Sequence, residues 1–413
     1  MITFLRPILV FFVLVTCFFS NFSAEAVEIS EPVALYLTWQ RNPESTMTIQ
    51  WITGKENSSD MIDYKTLGAP EWQSIAGSHT SMPEGYPYFI HRTELTELKS
   101  GSDYYFRIGN EGPIFKFRTM PAELSTPIRF VSGGDVYHDT INDVVKMNVQ
   151  AAKTDPYFAL VGGDIAYVSA KYSLLQRWGF AKEKLAPWLE WLKAWKQTMI
   201  TPGGHLIPLI PCIGNHDVMG RFGQTPDQAR MFYALFPFPG PQGYNVIDFG
   251  HYLSLVILDS GHTHPISGAQ TRWLSKALSA RTDVPHKFAM YHVGAYPSAR
   301  KFSGEIHHSI RKHWVHEFEQ YGLNIAFEHH DHTYKRTHPI RRGQIDPKGI
   351  VYIGDGAWGV EEPRKPHSDR WYLAKSAALQ NVTVTTLDQE SRYFRAIDFE
   401  GHTIDEYTQH IGK

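Results

Sequence analysis

The decapeptide Phe158-Ala159-Leu160-Val161-Gly162-Gly163-Asp164-Ile165-Ala166-Tyr167 runs four apolar residues into two glycines, then into a carboxylate and a phenol. Such a run reads as a short strand buried in a sheet, and the glycines as a tight turn that delivers polar groups at its carboxyl end. The pattern recurs outward from it. Ile128-Arg129-Phe130-Val131 leads to Gly134-Asp135, Leu209-Ile210-Pro211-Cys212-Ile213 to Gly214-Asn215-His216-Asp217, Phe288-Ala289-Met290-Tyr291 to His292, and Leu323-Asn324-Ile325-Ala326-Phe327 to His329-His330-Asp331-His332. Helical segments lie between these runs, which indicates an α/β layer structure. Residues 185–199 predict one helix, with Trp188, Trp191, Leu192 and Trp195 on a single face, a spacing that reads as core. In open α/β sheets, residues just past the carboxyl ends of strands converge on one crevice although they are far apart in sequence. A lone Gly-Asp is a turn and a lone His a core residue, but five such ends bearing Asp, Asn, His and Tyr make a metal site the economical reading. Composition narrows the donors: 21 His accompany only 2 Cys, so imidazole and oxygen, not thiolate, must hold any metal.

Upstream the texture is different. From Val33 to Thr119, short alternating runs such as residues 47–52 and 104–108 are separated by Gly, Pro, Asn and Ser clusters, and six or seven strands fit a β-sandwich. Leu98-Lys99-Ser100-Gly101-Ser102-Asp103-Tyr104 resembles the tyrosine corner of fibronectin type III domains, with Tyr104 bonding back to the corner and Trp51 in the core. Residues 120–123 read as the linker. The first 26 residues carry Arg6, an apolar run from Ile8 to Phe19 and Ala24-Glu25-Ala26, the form of a secretory signal. The expected organisation is therefore a signal peptide at 1–26, a fibronectin III-like sandwich at 27–121 and an α/β catalytic domain at 122–413. Removal of the signal takes Cys17 with it and leaves Cys212 without an intrachain partner. No other stretch is long and apolar enough for a membrane span, and a net charge of -2 disfavours a general nucleic-acid surface. Near the C-terminus, Val382-Thr383-Val384-Thr385 and Tyr393-Phe394-Arg395-Ala396-Ile397 read as edge strands. Asn57-Ser58-Ser59 and Asn381-Val382-Thr383 are glycosylation sequons if the source is eukaryotic.

Taken in order, the strand-end motifs resemble those of the metallophosphoesterases and, among them, the purple acid phosphatases: Asp-x-Gly, Gly-Asp-x-x-Tyr, Gly-Asn-His-Asp/Glu, a single His, then Gly-His-x-His. Asp135, Asp164 with Tyr167, Asn215 with His216, His292, and His330 with His332 fall on that series. The sandwich matches the plant-type members. Tyr167 selects this subfamily, because Asp135-Val136-Tyr137 lacks the usual Asp-x-His while a phenol is supplied instead, and a phenolate suits Fe(III). The resemblance implies Fe(III) held by Asp135, Asp164, Tyr167 and His332, and a divalent Fe, Zn or Mn held by Asp164, Asn215, His292 and His330. Asp164 would bridge the pair, which would clamp an in-line phosphoryl transfer to a metal-bound hydroxide. His216 is the expected contact to phosphate and proton donor to the leaving alcohol, with Asp217 orienting it. The implied activity is acid phosphatase chemistry on small phosphate monoesters outside the cytoplasm, secreted or periplasmic.

The sequence departs from the pattern at three places. His329 and Tyr137 stand where the family keeps Gly. The loop after His292 lacks the His pair of plant members, so Arg300, Lys301, His307 or His308 would have to face the phosphate. Gly261-His262-Thr263-His264 is a literal Gly-His-x-His, but it precedes the single His, and Leu258-Asp259 followed by Gln270-Thr271-Arg272-Trp273-Leu274 resembles the family's Leu-Asp strand end and Gln-x-x-Trp-Leu helix start, a resemblance that implies a loop before a helix. The same metal site would also serve a phosphodiesterase, nucleotide hydrolase or phytase. A secreted binding protein with a vestigial centre is the reading from another class.

Overall fold

A computed structural model of the chain describes residues 31–54, 59–168, 182–237, 242–354 and 356–412. The signal segment at 1–26 and most of the Asn57 sequon lie outside them. The N-terminal strands form two four-stranded sheets. Ala34–Thr38, Met47–Thr53, Phe89–Leu95 and Ser78–Ser81 make one, and Gln73–Ala76, Met61–Thr66, Asp103–Ile108 and Phe115–Arg118 the other. There are eight strands where six or seven were expected, because the run around Gly77 is shared between the sheets as two short strands. Trp51 is fully buried between them, and the Tyr104 hydroxyl accepts from the Lys99 amide at 2.8 Å, closing the tyrosine corner.

Two larger sheets follow and pack face to face. One has six strands in the order Leu209–Pro211, Ala159–Val161, Ile128–Gly133, Val382–Leu387, Ser391–Ile397, Thr403–His410, its first three parallel. The other has seven, with Leu253–Ile257, His286–Val293, Ile325–His329 and Val351–Gly354 parallel, and antiparallel strands at both edges. Apolar side chains from both sheets fill the space between: Phe130 stacks on Phe158 at 4.8 Å and meets Phe327 edge-on at 5.9 Å. Ile141–Lys153 and Ala186–Thr198 cover the outer face of the six-stranded sheet. Thr140 caps the first, its hydroxyl accepting from the Asp143 amide, and Pro187 starts the second. Trp188, Trp191, Leu192 and Trp195 are all buried, as the helical spacing requires. Ala269–Ser279 and the helical run from Glu305–Ile310 to His316–Gln320 cover the other sheet.

Two expectations need correction. The strands Val382–Leu387 and Ser391–Ile397 are interior, and the edge is Thr403–His410. Val-Thr alternation suggests a half-wet strand, but Thr383 and Thr385 are buried too: the threonine face is turned into the protein, where the β-branched methyl packs as valine would. Asn381 is buried and its amide donates to the Leu379 carbonyl at 2.9 Å, so this sequon has no room for a glycan. The sandwich is docked on the α/β layers: Tyr36 donates to the Leu235 carbonyl, Arg92 to that of Ala234, and Asp103 pairs with His205.

Candidate dinuclear metal centre

The strand ends of both large sheets meet at one edge of the molecule. The six-stranded sheet contributes the loops bearing Asp135, Asp164 with Tyr167, and Asn215. The seven-stranded sheet contributes His292, from within His286–Val293, and His330 and His332, just past Ile325–His329. All seven side chains come together. The Tyr167 hydroxyl lies 3.0 Å from Asp135 Oδ1 and 3.3 Å from His332 Nε2, and His332 Nε2 is 2.9 Å from Asp135 Oδ1. A second triad adjoins this one: His292 Nε2 is 3.2 Å from Asn215 Oδ1 and 3.1 Å from His330 Nδ1. Asp164 approaches it, with Oδ2 3.3 Å from His292 Nε2 while Oδ1 accepts from the His216 amide at 2.6 Å. Asp135 Oδ2 accepts from the His330 amide at 2.8 Å.

The backbone is bent to achieve this. Asp135, Asp164, Tyr167, His330 and His332 have φ between 47° and 79°, the left-handed region, which costs a side-chain-bearing residue roughly 1–3 kcal/mol each. Gly356 makes room for Asp135, since a Cβ there would stand 1.7 Å from Asp135 Oδ2. His329, in the position of a family glycine, is accommodated the same way: its ring lies against Gly162 and Gly134, where a Cβ would come within 1.9 and 2.8 Å of it. The ring is therefore embedded among the strand ends. Burial holds its pKa down at about 3, and neither nitrogen has a hydrogen-bond partner among the described residues. Tyr137 turns away from the centre, donating its hydroxyl to Glu190 on the Trp-bearing helix.

The donor chemistry fits metal ions. His292 Nδ1 faces the Gly162 carbonyl at 2.8 Å, so its proton sits there and the Nε2 lone pair points toward Asn215 Oδ1, Asp164 Oδ2 and His330 Nδ1. Asp164 Oδ2 has no hydrogen bond among the described residues although it is buried. Acceptor atoms converging on His292 Nε2 ask for a cation there, a proton on that nitrogen or a metal ion. The electrostatics point the same way. Burial would lower the pKa of His292, but Asp164 and Asp135 overcome it and raise it to about 9. Burial and the same two carboxylates push the Tyr167 phenol well above its ordinary value, so only a strong cation would draw its proton off.

The remaining expected residues take different positions. His216 stacks on Tyr167 at 4.6 Å, beside the first triad, and burial lowers its pKa. Asp217 does not orient that imidazole: its oxygens accept from the amides of Gly214, Ile165 and Ala166, which ties the Asn215 loop to the Asp164 loop. Burial, then the Asp164 charge, raises its pKa to about 7. Arg300 reaches the centre's edge, donating to the His330 carbonyl at 3.2 Å and lying 3.2 Å from Asp331 Oδ1. His307 is buried and faces the Gly294 carbonyl, while Lys301 and His308 are exposed. His262 and His264 of the literal Gly-His-x-His lie on the loop before the helix Ala269–Ser279, both backbone amides bonded to Asp259. His262 is buried, its ring 5.6 Å from that of His292.

Two neighbours, Asp331 and Phe222, escaped the sequence reading. Asp331 braces the loop after His292 by accepting from the amides of Ala299 and Arg300, and its position between two expected ligands was the available signal. Phe222 packs against His262 and edge-on to His330, and nothing in a Gly-Arg-Phe-Gly loop announces that. His138 stands edge-on to both Tyr167 and His332.

Carboxylates, imidazoles and an amide gathered at the strand ends of two facing sheets define a metallophosphoesterase, and residues 128–334 match the family model of calcineurin-like phosphoesterases. Residues 32–119 match the model described as the purple acid phosphatase N-terminal domain. The chain belongs to the purple acid phosphatase family, whose members use a dinuclear metal centre, and is a metal-dependent phosphoester hydrolase. It is 26% identical over 352 residues to purple acid phosphatase 18 of Arabidopsis thaliana, covering 80% of this chain and 74% of that one. Acid phosphatase type 7 of Mus musculus is 23% identical over 372 residues, covering 81% and 80%. Among solved structures, a purple acid phosphatase from yellow lupin seeds superposes with a TM-score of 0.70 at 16% identity, covering 91% of this chain and 74% of the lupin chain, a likeness of fold.

Proposed function

We propose that the protein is an exported acid phosphatase acting on small phosphate monoesters, with residues 27–121 as its sandwich domain and 122–413 as its catalytic domain. In this reading Asp135, Asp164, Tyr167 and His332 hold Fe(III), and Asp164, Asn215, His292 and His330 hold a divalent Fe, Zn or Mn. The observation that carries it is the pair of adjoining triads, one of which contains the Tyr167 phenol. When bound, such an ion pair supplies Lewis-acid charge and acidifies the attacking water. The chain's own groups do the rest. The Gly162 carbonyl orients His292 through Nδ1, Asp217 locks the loop geometry through three amides, and His216, held flat against Tyr167, presents an imidazole to the phosphate and to the leaving oxygen. Arg300, its charge balanced by Asp331, is held at the His330 loop as the candidate donor to phosphate oxygens. Export is supported by the apolar run from Ile8 to Phe19 and Ala24-Glu25-Ala26. No helix among the described residues is long and apolar enough to cross a membrane.

The visible spectrum of the purified protein tests the assignment. A charge-transfer band that disappears in Tyr167→Phe is the expected result, and a colourless protein with two zinc or manganese ions would overturn the iron. A panel of mono- and diesters tests the substrate class, a strong preference for diesters being the outcome that removes it. N-terminal sequencing of the mature protein should begin after Ala26.

A further inference from the structure

The sandwich carries a second group of metal-capable side chains. His79 on Ser78–Ser81 and His91 on Phe89–Leu95 are directly opposite each other across one sheet. Both turn Nδ1 to the same carboxylate, that of Asp60, which immediately precedes Met61–Thr66 of the other sheet. His91 Nδ1 is 2.6 Å from Asp60 Oδ1, and His79 Nδ1 is 2.7 Å from Asp60 Oδ2.

We propose that Asp60, His79 and His91 form a binding site for a divalent cation of the zinc class, a clip between the two sheets of the sandwich. Two imidazoles and a carboxylate are a standard zinc donor set, with a fourth position left to water. The supporting shell is in place. His91 is completely buried, its ring stacked on Trp51 at 5.0 Å and 9°, and its Nε2 lies 2.8 Å from Thr53 Oγ1. An Nε2 proton donated to Thr53 frees the Nδ1 lone pair for the ion, the arrangement that fixes a ligating histidine's tautomer. Asp60 and His79 have side-chain exposures of 27% and 31%, so the site opens to solvent on one side, giving the ion a path in and the fourth ligand a place. In a tetrahedral zinc site, donors at about 2.0 Å from the ion sit about 3.3 Å apart. The three ligand atoms lie within 4.8 Å of one another, so small side-chain adjustments bring them around one ion, which takes the place of the protons now shared with the carboxylate. A clip has a structural use, because residues 27–121 contain no cysteine that could supply a disulfide.

The test uses the full chain, reconstituted with Zn2+ after chelation, and metal analysis by mass spectrometry. His79→Ala should bind one zinc equivalent per chain fewer than wild type, with unchanged phosphatase activity and loss of part of the zinc-dependent rise in melting temperature. His292→Ala, which affects only the catalytic centre, should retain this equivalent, so failure of the clip and failure of the dinuclear assignment are separable. Equal zinc content in wild type and His79→Ala overturns the proposal. If His79→Ala does not fold, a zinc-soaked crystal of wild type decides: an anomalous peak between Asp60, His79 and His91 supports the clip, and no peak there overturns it.

Discussion

At the residue scale, His216 and Asp217 are neighbours with separable roles. His216 lies flat on Tyr167, whereas Asp217 accepts hydrogen bonds from the backbone amides of Gly214, Ile165 and Ala166. Replacing His216 with Ala should lower kcat by about 10²–10⁴-fold, with a smaller loss for esters whose leaving group needs no proton, such as a nitrophenol. Asp217→Asn keeps one acceptor oxygen but sets an NH2 against an amide donor, so metal affinity should fall by about 10–100-fold, read by competition with a chelator, without a change in leaving-group dependence. Burial lowers the pKa of His216, so the protonated imidazole that serves as acid disappears as pH rises through a value below the ordinary histidine range. The kcat profile should therefore fall on its alkaline side at acidic pH, and that limb should be lost in His216→Ala. The candidate ligands were legible because each stands at the end of an apolar run. His329 was not: its ring fits only because Gly134 and Gly162 face it from other strands, a complementarity that no single segment contains.

At the element scale, periodicity was legible where one face of an element is buried and ambiguous where both are. The Trp stripe of Ala186–Thr198 is a case of the first. Trp191 lies among Trp188, Trp195 and Phe236, and Trp191→Ala should cost about 3–5 kcal/mol, measured by denaturant unfolding. The strand Val382–Leu387 is a case of the second, since Thr383 and Thr385 look wet in sequence yet are buried. The left-handed backbone at five proposed ligands was also invisible. Asp and His tolerate that conformation more readily than Tyr does, and only the assembled turn requires it of Tyr167.

For the whole molecule, acid is a cost to the fold as well as an asset to the expected chemistry. His286, at the far end of the strand that carries His292, is buried, with its pKa lowered to about 4 by burial and then by Arg392. The folded state holds it neutral while the unfolded chain protonates near 6.5, so its contribution is complete above that pH and declines as pH falls toward 4. The loss amounts to about 3 kcal/mol at most. His286→Gln, whose amide can still donate to the Asp388 carbonyl, should shrink the difference in unfolding free energy between pH 7 and pH 4 by up to that amount.

The proposed ligands are divided between two plates: Asp135, Asp164, Tyr167 and Asn215 ride on one sheet, His292, His330 and His332 on the other. Ions held by both would act as a rivet between these two sheets, so the plates would not splay until the ions leave. Inactivation in storage should then begin with demetallation and proceed to unfolding, never the reverse. Lifetime at a given temperature would be set by how fast the strand-end loops release the ions, so the enzyme would wear out at its active site before its core.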